Sequence, residues 1–110
     1  MEISPTLFAT AEFYGVDRNG AESVLLVGVG RPTQQPTGEW ACPTLTYDLK
    51  EPRLIYGEDS LQALCLGLSL IRTRLEGWMD SGGRIFVGES REEISRVEIS
   101  TWFGGLGSQS

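Results

Sequence analysis

The sequence predicts an α+β fold, an antiparallel sheet of about five to six strands packed on one long helix. Three observations carry this. From Tyr56 to Gly82, the residues Leu61, Leu64, Leu68, Ile71, Leu75 and Trp78 recur at alternating steps of three and four, which places them on one side of a helix. The segments before and after that stretch alternate apolar and polar with the period of a strand. Short polar links join them, and the regular helix–strand alternation that a parallel sheet requires is absent.

Thr6 to Tyr14 reads as the first strand, with Leu7, Ala9, Ala11 and Phe13 on one face and Phe8, Thr10, Glu12 and Tyr14 on the other. Val16 to Gly20 is a turn, where Asn19-Gly20 supplies positive φ. Glu22 to Arg31 follows as a strand, apolar on both faces from Val24 to Val29 and so expected at the centre of the sheet. Gly28 and Gly30 inside it point to a bulge or to close approach by the helix backbone. Pro32 to Gly38 is a loop. Glu39 to Tyr47 is a third strand, which Pro43 assigns to an edge or a bulge. Asp48 to Pro52 turns the chain, and Arg53 to Tyr56 is a short strand leading into the helix. Asp59 suits the N-cap, with Gln62 completing a capping box, and Gly82-Gly83 end the helix in the left-handed conformation. At about 1.5 Å per residue the helix is roughly 30 Å long. Arg84 to Val87 is a strand and Gly88 to Glu93 a polar loop. Ser95 to Phe103 alternates once more, with Val97, Ile99, Thr101 and Phe103 on one face and Arg96, Glu98, Ser100 and Trp102 on the other. Residues 1–103 thus form a single domain, and the Gly/Ser-rich tail 104–110 is expected to be disordered.

At 110 residues the chain is long enough for a core of its own. The net charge of −6 argues against nucleic acid or an anionic membrane surface as partner and fits a basic protein. The opening Met-Glu-Ile-Ser-Pro lacks the basic start and apolar run of a signal peptide. No apolar run approaches the roughly 20 residues of a membrane span. The expected location is the cytoplasm, where Cys42 and Cys65 stay reduced.

The chain contains no histidine, which removes the usual general base, the Ser-His and Cys-His nucleophile systems and most zinc or iron sites. Cys65 reads as a small hydrophobe within the helix, and nothing near Cys42 in sequence would lower its pKa. Gly28-Val29-Gly30 lacks the context of a phosphate loop, and Asp17 with Asn19 lacks the other ligands of a calcium loop. Glu58 and Asp59 are adjacent carboxylates, but at a helix N-terminus their negative charge is stabilising in itself. The expectation is a non-enzymatic chain without metal or cofactor. The alternatives are a small enzyme or ligand-binding protein that uses Glu58, Asp59 or Glu39 in a pocket, and a homodimeric structural protein with no other partner.

Binding surfaces offer more. If one helix covers one side of the sheet, the open side holds Phe8, Thr10, Glu12 and Tyr14, joined by Arg96, Glu98 and Trp102 from the last segment. Aromatics set among charges are the usual composition of an interface anchor. Leu66 and Leu70 sit off the helix's main apolar stripe and form a possible homodimer seam, while Ala63 and Gly67 allow close approach of a neighbour.

The run Tyr56-Gly57-Glu58-Asp59-Ser60-Leu61-Gln62-Ala63-Leu64, with Trp40-x-Cys42 upstream, resembles a family of small uncharacterised bacterial proteins marked by a Gly-x-Asp-Ser-x-Gln-Ala-Leu helix start. In size and acidity the chain also resembles immunity proteins, the antidotes that bacteria keep beside their own toxins. That second resemblance implies a protein-binding module that neutralises a basic toxin by occlusion. Neither resemblance supplies a catalytic residue.

Overall fold

The computed structural model describes residues 7–103. Strands β1 (Leu7–Val16) and β2 (Glu22–Gly30) form an antiparallel hairpin. Its turn is built on Asp17, whose Oδ1 accepts the N–H groups of Asn19 at 2.8 Å and Ala21 at 2.9 Å. Gly20 completes the turn at φ +87°, where an L side chain is disfavoured. The register slips between Leu7 and Ala9, so the irregularity expected in β2 lies in its partner. Gly28 does serve close approach, but to β1 and not to the helix. A Cβ there would stand 2.8 Å from both the Ala9 carbonyl oxygen and Thr10 Cγ2.

Two short strands arise in segments expected to be loops: β3 (Thr33–Gln34) and, near the C-terminus, β7 (Glu92–Glu93). β4 (Trp40–Leu45) pairs with β2 and β3 on one side and with β5 (Arg53–Gly57) on the other. It is therefore interior to the sheet, not an edge. Pro43 is tolerated because it stands in the gap where pairing passes from β3 (Thr33↔Ala41) to β2 (Val29↔Thr44), a break in the ladder. β6 (Arg84–Val87) pairs with β1, and β7 with β6, which gives seven strands in one antiparallel sheet.

Helix α1 (Ser60–Asp80) crosses this sheet on one face, mainly over β4 and β5. Asp59 caps it as expected, its Oδ1 accepting the Gln62 N–H at 2.7 Å. The Gln62 side chain reaches back one residue further than a capping box requires, accepting the N–H of Glu58 at 2.6 Å. At the other end Gly82 takes φ +96°. The buried line is Ala63, Gly67, Ile71 and Leu75, with Leu64, Leu68 and Trp78 packed beside it. Leu61, expected in the core, is 68% exposed. The small residues decide this shift. A Cβ on Gly67 would lie 2.5 Å from Thr44 Oγ1, so the helix comes down on its Ala63/Gly67 side and Leu61 is turned outward.

The segment expected as a final strand is helix α2 (Arg96–Trp102). Ser95 and Glu98 form its capping box: Ser95 Oγ accepts the Glu98 N–H at 3.2 Å, and Glu98 Oε1 accepts the Ser95 N–H at 2.9 Å. Ile99 and Phe103, four apart, pack into the core, where Phe103 meets Phe13 edge-on with ring centroids 6.1 Å apart. Arg96 ties α2 to α1 through ion pairs with Asp80 and with Glu76 at 3.7 Å. The core joins Phe13, Leu25 and Val27 of the hairpin to Ile71, Leu75, Ile85 and Ile99. Fully burying each such side chain contributes roughly 1.5–3 kcal/mol. The tail 104–110 and the expected strand start at Thr6 lie outside the described residues.

Candidate functional site

Strand parity assigns the outer face. Phe13, Leu25, Val27 and Cys42 belong to the core under α1, so their neighbours Glu12, Tyr14, Val24, Leu26 and Pro43 point to the other side. The middle of that side is not open. Leu7, Leu26 and Leu45 form a second buried cluster there, with Leu49 from the turn after β4 packed against it. Among the described residues, exposed apolar surface remains at Leu54 and Tyr56 on β5, at Phe8 on β1 and, in a richer area, around Tyr14 and Val24.

Tyr14 and Phe86 are paired across β1 and β6, their rings edge-to-face at 6.4 Å. The Arg91 guanidinium carbon lies 3.7 Å from the centre of the Tyr14 ring, and that of Arg84 lies 5.1 Å from the centre of the Phe86 ring. Arg84 is held in turn by Glu93, with Nη2 to Oε1 at 2.8 Å and Nε to Oε2 at 3.1 Å. The Tyr14 hydroxyl donates to Glu22. This holds the phenol's pKa above its usual value, and Arg91 over the ring opposes the rise without cancelling it. Arg84 in the same way keeps the Glu93 carboxyl below the ordinary range. Tyr14, Phe86, Val24, Glu12, Glu89 and Arg91 line an open groove of about 490 Å³. Arg91 sits at φ +54°, the one non-glycine residue with positive φ among those described, in a turn closed by its N–H to the Gly88 carbonyl at 3.1 Å. A left-handed non-glycine residue costs of order 1–3 kcal/mol and persists where surrounding contacts impose it.

Of the residues singled out in the sequence, Thr10, Glu12 and Tyr14 lie on the outer side of the sheet. Phe8 is exposed at the β1 irregularity. Glu98 and Trp102 do not join them. Both are on α2, which packs with α1 on the opposite side, as Arg96 does. Leu66 is exposed and Leu70 half-buried on α1. Glu39, Glu58 and Asp59 are exposed near one end of β4 and β5, where Trp40 pairs with Gly57, and Asp59 is engaged as the helix cap. Among the described residues no group of three or more His, Cys, Asp or Glu is placed to hold a metal ion. Nor is any helix among them long and apolar enough to cross a membrane. Sequence reasoning missed Val24, Phe86 and Arg91. The parity of the Arg84–Val87 strand could have supplied Phe86, whereas nothing local marks Arg91. No family model matches this chain, and no curated protein or solved structure matches it.

Proposed function

We propose that the chain is a non-enzymatic protein-binding module that engages its partner through the groove around Tyr14. The carrying observation is the stacked cluster Arg91–Tyr14–Phe86–Arg84, fixed by carboxylates on both sides and left open to solvent beside exposed Val24. Rigid aromatics and arginines held before binding lose little entropy on association, which is what interface anchors share. The net charge of −6 steers a basic partner, and occlusion of a toxin in the cytoplasm, with Cys42 and Cys65 as free thiols, is the concrete form of the proposal. The test is affinity capture from the native cell extract, followed by titration of the captured protein against variants. Tyr14→Ala and Arg91→Ala should each weaken binding by about 2 kcal/mol or more, while Trp102→Ala on α2 leaves it unchanged. Equal affinity for all three variants would remove the groove from consideration.

A further inference from the structure

The tip of the first hairpin joins a reactive dipeptide to the groups that restrain it. Asn19 is the only asparagine in the chain, and a glycine follows it. Both residues are exposed. Gly20 stands in open space, with nothing within 4 Å of where a Cβ would lie. No side chain therefore hinders its backbone nitrogen from approaching the side-chain carbonyl carbon, Cγ, of Asn19. When that nitrogen attacks, the new N–Cγ bond closes a succinimide ring. The Gly20 N–H proton passes to hydroxide, and the Asn19 amide nitrogen takes a proton from water and leaves as ammonia. Water then opens either ring carbonyl, which gives aspartate or isoaspartate at position 19. Over the whole reaction water is consumed and ammonia released.

The folded turn opposes the first step. The Gly20 N–H donates to the Asp17 carbonyl at 2.9 Å, so the proton that must leave is held in place. The N–H groups of Asn19 and Ala21 are both fixed on Asp17 Oδ1, at 2.8 and 2.9 Å, and the Asp17 N–H donates to the Ala21 carbonyl at 2.9 Å. The backbone on either side of the reacting nitrogen is thus pinned to Asp17. A succinimide nitrogen carries no hydrogen, so the bond from Gly20 to the Asp17 carbonyl cannot survive in the intermediate. We propose that Asn19 is a self-modification site gated by Asp17: the hairpin tip opens locally before the Gly20 nitrogen reacts, and the product is a permanent record of that opening. Isoaspartate adds a methylene to the backbone of a turn closed by the pair Val16↔Glu22. Glu22 accepts the Tyr14 hydroxyl, so the altered tip adjoins the groove. The chemistry itself is independent of what the groove binds.

The test is incubation of the purified chain in mildly alkaline buffer, with and without urea. Cleavage after glutamate then releases residues 13–22, in which mass and retention separate asparagine, aspartate and isoaspartate. The folded chain should react about tenfold more slowly than the unfolded one, or slower still. Asp17→Ala removes the Oδ1 acceptor and should bring the folded rate close to the unfolded one. Ile99→Val, which weakens the core, should leave the folded rate unchanged, because a local opening suffices. Equal rates for the folded and unfolded chain would overturn the proposal. So would an Asp17→Ala chain that reacts no faster than the parent, or an Ile99→Val chain that accelerates as much as Asp17→Ala. If Asp17→Ala fails to fold, hydrogen exchange at the Gly20 amide decides. Its protection should match the slowing of the reaction, since both need that N–H released, and an unprotected amide would overturn the proposal equally.

Discussion

Where α1 meets the sheet, the contact depends on a side chain that is missing. Gly67 lies over Thr44 and Cys42, and an added Cβ would come within 2.5 Å of Thr44 Oγ1, a fully buried atom group with no room to move aside. Gly77, ten residues along the same helix, faces open space. The two glycines should therefore respond oppositely to alanine. Gly77→Ala should raise stability by about 0.5–1 kcal/mol through helix propensity. Gly67→Ala should lower it by about 1–3 kcal/mol through overpacking. Urea unfolding measures both, and a stabilised Gly67→Ala would show that the helix does not seat on Thr44. Tyr14 supports a second prediction. Its hydroxyl donates to Glu22, which favours the protonated phenol, so the folded pKa lies above the unfolded value. The resulting stability is fully present below the unfolded value near 10 and is lost as pH rises through the folded one. Glu22→Ala should move this tyrosine's absorbance titration to lower pH. An unmoved titration would mean that the hydrogen bond is not populated in solution.

The two helices became legible to different degrees, and for different reasons. The long periodicity of α1 outweighs any local ambiguity, and Asp59 and Gly82 mark its ends where expected. Residues 95–103 are too short for that. Arg-Val-Glu-Ile-Ser-Thr-Trp alternates polar and apolar like a strand, with several β-branched residues. Yet Ser95 and Glu98 also form a capping box, and Ile99 with Phe103 form an (i, i+4) pair. Packing against α1 and Phe13 selects the helix. Ser95→Ala should accordingly cost about 1 kcal/mol. Ile99→Ala, at a fully buried position, should cost about 2–5 kcal/mol, whereas Val97→Ala, at a side chain 73% exposed, should change little. A strand with Val97 and Ile99 on one inward face would give similar losses for both, so thermal or urea unfolding of the pair separates the two structures.

Over the whole molecule, the two cysteines report on different degrees of opening. Cys42 is 0% exposed in the core, and burial raises its thiol pKa. Cys65 is half-buried on α1. A thiol reagent should label Cys65 from the native state. It should reach Cys42 only at the rate of global unfolding, since exposing it requires parting α1 from β2 and β4. Labelling of both at one rate would show that α1 detaches as a unit before the sheet unfolds.

The α+β class, the first hairpin with its Asn-Gly turn, the strand on each side of the long helix and the Asp59 and Gly82 signals at that helix's ends all followed from the order of residues. Each rests on periodicity or turn chemistry within about twenty neighbours. Phe8, Glu12 and Tyr14 were legible as candidates because strand parity is a local property. The face of α1 that lies inward was not legible, because Ala63 and Gly67 carry no hydrophobic signal and matter only through Thr44, a residue distant in sequence. For the same reason α2 read as a strand, and its Glu98 and Trp102 were placed on the wrong side of the sheet. Arg91 entered the candidate site only once β6 and the turn at Gly88 had folded back over β1 and brought its guanidinium above Tyr14. Local pattern specifies which elements form. Contacts between residues far apart in the chain choose which of their faces meet, and that choice places the groove.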